Sequence, residues 1–227
     1  MYMPLAHGFY PVLKKAMDDK LVPGNLPEQQ QGASTHTQHE IECGSREEAE
    51  QVYELAKKRL LSVNAWHEYA GAGSAEFSLF NEAGQKKEGP VVKGDRFQID
   101  IPGPGSSQGE GFDWVHVEDV EEHSAEHTAH ISIRVRPTRH PEHRDEGETA
   151  HFFTHDATSN FVVSRNGLVV KAEVFGRNEI PNIAEAEGLL DKARNAAVGA
   201  TAAAGISKIQ WKNLVKGLIE YRNDKGD

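Results

Sequence analysis

Cysteine is all but missing from this chain: Cys43 stands alone in 227 residues, so no internal disulfide can form. A reducing, cytoplasmic setting is the expectation that follows. Basic residues are also scarce, with 25 Lys and Arg against 35 Asp and Glu and a formal net charge of −10. That balance speaks against a nucleic-acid surface, which needs clustered Lys and Arg, and against attachment to anionic lipid. No apolar run approaches the roughly 20 residues that span a bilayer, so stable membrane insertion is not expected. The N-terminus has no apolar core of the secretory kind. There is no Gly-x-Ser-x-Gly elbow, no obvious partner for the cysteine, and no repeat of long period. What is present is 37% hydrophobic and 26% charged residues, the balance of a folded chain with polar loops.

The longest organised stretch runs from Pro181 to Tyr221. Pro181, Asn182 and Glu185 read as a stop followed by a capping box. Leu189, Ala193, Ala196, Ala200, Ala203, Ser207, Trp211, Leu214 and Leu218 then fall on one stripe at helical spacing. Asp191, Arg194, Asn195, Lys212, Asn213 and Lys216 lie on the other side. A single helix of that length would run roughly 50 Å. Its middle is crowded with small residues, which suits close packing on a sheet or room for a ligand. Gly199 and Gly205 weaken it, so a kink near Gly205 is one outcome.

Residues 1–33 read as an N-terminal arm and linker. Phe9, Tyr10, Val12, Leu13 and Met17 suit a short amphipathic helix, and Pro23, Gly24 and Pro27 break it. Packing of the arm on its own domain is the simpler reading; exchange of the arm in a homodimer is the alternative. A first strand is expected over Thr35–Ile41. Ser45 with Glu48 then opens a helix whose buried stripe is Ala49, Val52, Tyr53, Ala56 and Leu60. Trp66, His67 and Tyr69 follow, before a turn at Gly71-Ala72-Gly73.

Strands come next. Phe77 and Leu79 alternate in one, and Phe97, Ile99 and Ile101 in another. Phe112, Trp114 and His116 share one face of a third, opposite Val115 and Val117. The clearest sets Ala129, Ile131, Ile133 and Val135 against Thr128, His130, Ser132 and Arg134. After a Pro- and charge-rich loop from Pro137 to Glu148, Ala150–Val163 reads as one bent strand or two short ones. Asn166-Gly167 supplies a hairpin turn. The last strand carries Leu168, Val170, Ala172 and Val174 on one face. The fold class is therefore α+β: a curved antiparallel sheet wrapped around a long C-terminal helix, with one shorter helix after the first strand.

This order resembles the START-like, helix-grip superfamily, which includes lipid-transfer domains, the birch-pollen-allergen group and polyketide cyclases and aromatases. The resemblance covers about residues 35–221. It rests on element order, on Val63-Asn64-Ala65-Trp66 closing the first helix, and on the Gly176 to Pro181 loop before the last. It implies a START-like domain over 34–222, with 223–227 as a tail, and no shared catalytic signature.

Twelve histidines invite a metal. His123, His127 and His130 would share a helical face, but His130 lies in the clearest strand. His151 and His155 would share a strand face about 13 Å apart, too far for one zinc. His140 and His143 sit in a loop with Asp145 and Glu146. Solvated polar surface is the stronger reading, and neither a metal nor a cofactor is expected. The glycine-rich run Gly103 to Gly111 leads into a strand rather than a helix, which does not suit a phosphate loop. Glu118, Asp119, Glu121 and Glu122 read as a solvated strand edge, and Lys208, Lys212 and Lys216 as the wet face of the helix.

The expected function is to hold a hydrophobic or amphipathic small molecule between sheet and C-terminal helix. The expected walls are Phe77, Phe97, Ile99, Trp114, Ile131, Ile133 and Val170 on the sheet. Ala196, Ala200, Ala203 and Trp211 face them from the helix. One alternative is an enzyme of the cyclase, aromatase or hydrolase kind, which needs polar groups such as His116 or His130 turned inward. The other is an oligomeric assembly protein without a ligand.

Overall fold

The computed structural model describes residues 26–101, 109–142, 149–182 and 209–220. Strand β1 spans Ala33–Glu42, longer at both ends than the alternation suggests. Helix α1, Arg46–Leu61, begins where Ser45 leaves the extended region: its hydroxyl accepts the Glu48 N–H at 3.1 Å. The Glu48 carboxylate reaches back to the N–H of Gly44, at 2.7 Å, rather than to that of the cap. All five residues of the expected stripe are buried. A 3₁₀ turn, Val63–Ala65, and a short helix α2, Trp66–Ala70, then reverse the chain. The Trp66 indole N–H donates to Leu60 O at 3.0 Å, so the ring folds under the helix it follows.

Six strands follow as a meander: β2 Glu76–Phe80, β3 Arg96–Asp100, β4 Asp113–Ser124, β5 Thr128–Pro137, β6 Thr158–Asn166 and β7 Val169–Glu179. Every pairing is antiparallel, and β7 closes the meander by lying beside β1, giving the order β1-β7-β6-β5-β4-β3-β2. Alternation puts Leu79, Phe97, Val115, Ile133, Phe161 and Ala172 on one face, where they meet α1 and the terminal helix. That last helix, α3, is described over residues 209–219. Leu214, Val215, Leu218 and Ile219 are buried and Lys212, Asn213 and Lys216 are exposed, as the stripe requires. The part of the stripe before residue 209 lies outside the described residues, as do Gly199 and Gly205.

The end of α3 is held firmly. Arg59 Nη1 donates to three of its carbonyls, Gly217 O at 2.9 Å, Leu218 O at 3.2 Å and Glu220 O at 2.7 Å. These are groups that a helix C-terminus leaves without intrahelical partners, and a guanidinium also complements the dipole there. His39 on β1 meets the Glu220 carboxylate at 2.7 Å. At Gly217 the helix touches α2 so closely that a Cβ would sit 1.9 Å from Tyr69 O.

Several sequence expectations are corrected. Residues 150–157 are not strand: Phe153 makes only an isolated bridge to Pro181, and β6 begins at Thr158. The hairpin turn is Gly167-Leu168, because Asn166 still pairs with Val169; Gly167 takes φ +58°, the first central position of a primed turn. Gly176 is in β7, not in a loop. Glu118, Asp119, Glu121 and Glu122 of β4 lie beyond its pairing with β3, which ends at His116, so the strand there is paired on the β5 side alone, as an edge reading expects. A bulge between Val117 and Asp119 shifts the register, so Glu118 and Asp119 both face Arg134. Glu122 turns toward α1 and pairs with Lys57. The proposed arm helix, residues 9–17, lies outside the described residues; Gln30 and Gln31, further along the linker, donate to the Asn178 side chain.

Candidate functional site

The middle of the concave face is filled by aromatic rings. Trp66 packs against Phe161 at 4.7 Å between centroids, against Phe77 at 5.2 Å and against Phe97 at 5.7 Å. Trp211 of α3 closes the group from above, 5.2 Å from Phe161 and 6.3 Å from Phe77. Contact this dense leaves no room for a guest among these rings.

A cavity of about 30 Å³ remains beside that cluster, where β3 ends and β6 begins. Its apolar wall comes from Phe97, Ile99 and Ile101, from Val115 and Val135, and from Phe161 and Trp211. Ser159, Glu179, Gln210 and His151 supply polar groups. Such a volume holds about one or two water molecules.

The loop from Thr149 to Ala157 forms one side of the cavity through His151, Phe152 and Phe153. Residues just after β7 stitch it down: Asn182 Nδ2 donates to Thr149 O at 3.1 Å and His151 O at 3.2 Å, and Asn182 N to Phe152 O at 2.8 Å. His151 is 6% exposed, and its Nδ1 accepts the Phe153 N–H at 2.9 Å. A nitrogen that accepts carries no proton, so the neutral ring is protonated at Nε2. Burial pushes this imidazole down to about 3, against a weaker opposing effect of the Phe153 bond. It is therefore a neutral donor at ordinary pH.

Glu179, the last residue of β7, behaves in the opposite way. Burial raises its carboxyl above the usual range, while the Thr35 hydroxyl, donating at 3.0 Å, and Arg177 pull the other way. Gln210 is 5% exposed, and its buried Nε2 has no hydrogen-bond partner among the described residues. A buried amide left so is costly unless something in the cavity accepts from it.

Of the expected wall, Phe97, Ile99 and Trp211 line this cavity. Phe77, Ile131, Ile133 and Val170 are in the hydrophobic core but not on the cavity wall. Ala196, Ala200 and Ala203 lie outside the described residues. Trp114 is a correction. Phe97 pairs with Val115, so Trp114 turns to the opposite face beside Gln98. There its ring meets Phe80 at a tilt, 4.9 Å between centroids, and His140 edge-on at 5.0 Å. It is buried there, and its backbone is bound on both sides, Trp114 N donating to Ala150 O and Thr138 N donating to Trp114 O.

His116 and His130 also lie on that outer face, opposite Arg136 and Ser164. Burial lowers the pKa of both, but neither reaches the cavity. Among the described residues no three His, Cys, Asp or Glu side chains are placed to hold a metal, and no helix is long and apolar enough to cross a membrane.

Among the described residues, one strand and a helix are followed by six strands returning to the first and by a terminal helix on the inner face. The fold is of the helix-grip kind, an antiparallel sheet closed over a terminal helix. No family model and no curated protein sequence matches the chain. Solved structures similar to it include the XoxI protein of Bacillus cereus, 17% identical, covering 83% of this chain and 97% of that one at a TM-score of 0.36. A truncated norcoclaurine synthase of Thalictrum flavum is 12% identical, covering 86% of this chain and all of that one at a TM-score of 0.33. The Zhui aromatase/cyclase of a Streptomyces species is 10% identical, with 86% of this chain covered at a TM-score of 0.36. The likeness is one of fold alone.

Proposed function

We propose that the chain binds a small, largely apolar molecule at the cavity between the inner face of the sheet and α3. The observation that carries this reading is the unpaired amide of Gln210, buried in a wall that is otherwise mostly aromatic and aliphatic. Sites for small molecules combine such walls with a few polar groups. At about 30 Å³ the cavity is the seat for one end of a guest, not for the whole of it. Phe152 and Phe153, outside the strand ladder, are the side chains that would part to admit the rest.

Native mass spectrometry of gently purified protein, together with titration by an uncharged apolar dye such as Nile red, tests the reading. A co-purifying molecule, or saturable dye binding that Ser159→Phe abolishes in a folded protein, is the expected result. Dye binding unaffected by Ser159→Phe would place the dye elsewhere and defeat the proposal.

One observation favours a second reading, an acid–base enzyme on the same fold. Glu179 and His151 line the same cavity, and Glu179 has the raised carboxyl expected of a proton carrier. Turnover of any substrate would then vanish in Glu179→Gln, whereas a binding protein would keep its ligand in that variant.

A further inference from the structure

The polar groups of the cavity form an unusual set: one carboxyl, one amide N–H with no partner, one neutral imidazole and one serine hydroxyl. Among the described residues that line it there is no Lys or Arg. An anionic head group, such as the carboxylate of a fatty acid, would face Glu179 with Arg177 as the one cation acting on that carboxyl and no cation among the described lining residues, and burying such a charge unpaired is costly. An alkyl or plain aromatic end would leave the Gln210 amide unpaired. A hydroxyl answers both conditions, since it accepts through oxygen and donates through its proton. The volume of about 30 Å³ suits a group of that size. Next to it Phe152, Phe161 and Trp211 offer faces for a ring.

Resting on the binding reading above, we propose that this cavity selects the uncharged hydroxyl of an aromatic guest, Gln210 donating to its oxygen and Glu179 accepting its proton, and that it rejects carboxylates. Glu179 is built into place for this. Its carboxyl is held by the Thr35 hydroxyl at 3.0 Å and lies over Gly176, where no side chain intrudes.

Three probes that share one ring system separate the possibilities: naphthalene, naphthol and naphthoate, titrated by fluorescence against the full chain near neutral pH. Naphthol is expected to bind about fivefold to tenfold more tightly than naphthalene, the yield of one or two good hydrogen bonds. Naphthoate is expected to bind at least tenfold more weakly than naphthol. Gln210→Leu should bring naphthol down to the level of naphthalene while leaving naphthalene within about twofold. Glu179→Gln, which keeps the shape of the side chain, should raise the affinity for naphthoate about tenfold and serves as the test if Gln210→Leu does not fold. Naphthol binding no tighter than naphthalene would mean that water alone satisfies Gln210, and would overturn the inference while leaving apolar binding intact. Naphthoate binding as tightly as naphthol would overturn it as well. Binding of none of the three would remove the cavity reading and this inference with it.

Discussion

The carboxyl of Glu179 occupies the space that a side chain on Gly176 would need. A Cβ there would lie 1.9 Å from Glu179 Oε1 and 2.3 Å from the Thr35 hydroxyl. Gly176 has no positive φ, so it is glycine for room and not for conformation. Gly176→Ala should therefore swing the carboxyl away at a cost of about 1 kcal/mol, since the end of a glutamate side chain moves easily. The Glu179 pKa, followed by NMR, should fall toward the ordinary carboxylate value as the group reaches water. A pKa unchanged in the variant would show that the seat does not hold the carboxyl.

Gly217→Ala is expected to run against helix propensity. Alanine favours a helix by about 1 kcal/mol over glycine. Here its methyl would meet the backbone oxygen of Tyr69, which cannot turn aside without moving α2. A net loss of about 2–3 kcal/mol is expected from urea unfolding. A stabilised variant would mean that α3 does not pack on α2 as described.

Trp66 is completely buried at the centre of the aromatic group and donates to Leu60 O. Trp66→Ala should cost about 3–5 kcal/mol. In a protein that keeps Trp66 as its sole tryptophan, acrylamide should quench its fluorescence weakly; strong quenching would contradict the burial.

Acid sensitivity should trace to His151. Its native pKa is pushed down to about 3 from an ordinary 6.5, so the unfolded chain binds the extra proton between those values. Stability from this group is whole above about pH 6.5 and drains away as the pH falls toward 3. Near pH 5 the loss amounts to about 2 kcal/mol. Glu179, with its raised pKa, acts in the other sense, favouring the native state below the ordinary carboxylate range and giving that up as the pH rises. Urea midpoints near pH 7 and pH 5 should diverge less in His151→Asn, whose side-chain carbonyl can still accept from Phe153. Equal slopes in both proteins would exonerate His151.

The scaffold could be read from the chain because its signals are local. Ser45 and Glu48 sit three residues apart, the α1 stripe repeats at helical spacing, and Ile131, Ile133 and Val135 alternate cleanly. Trp114 shows where alternation stops informing: Trp114 and Val115 are both buried, so both faces of β4 look like a core there. Period two says which residues share a face and not which face is inner. The bulge at Glu118 has no mark of its own and reverses the parity of everything after it. His151 looked like one of two strand histidines, but it is buried by a loop whose anchors, Ile180 and Asn182, come about thirty residues later. Glu179 and Gln210 share a wall only because β7 and α3 end there, and no spacing within either segment encodes that meeting.

The three carbonyls gathered by Arg59 make the far end of α3 a pivot. With Gly217 pressed on Tyr69 and His39 latched to Glu220, that end has no slack in any direction. A rigid rod fixed at one end sweeps its widest arc at the other. Gln210 and Trp211 stand two turns up from the pivot, directly over the cavity. Any rotation about Arg59 would therefore move Gln210 and Trp211 further than Gly217, so the bolt that steadies the helix also sets the reach of the cavity's wall.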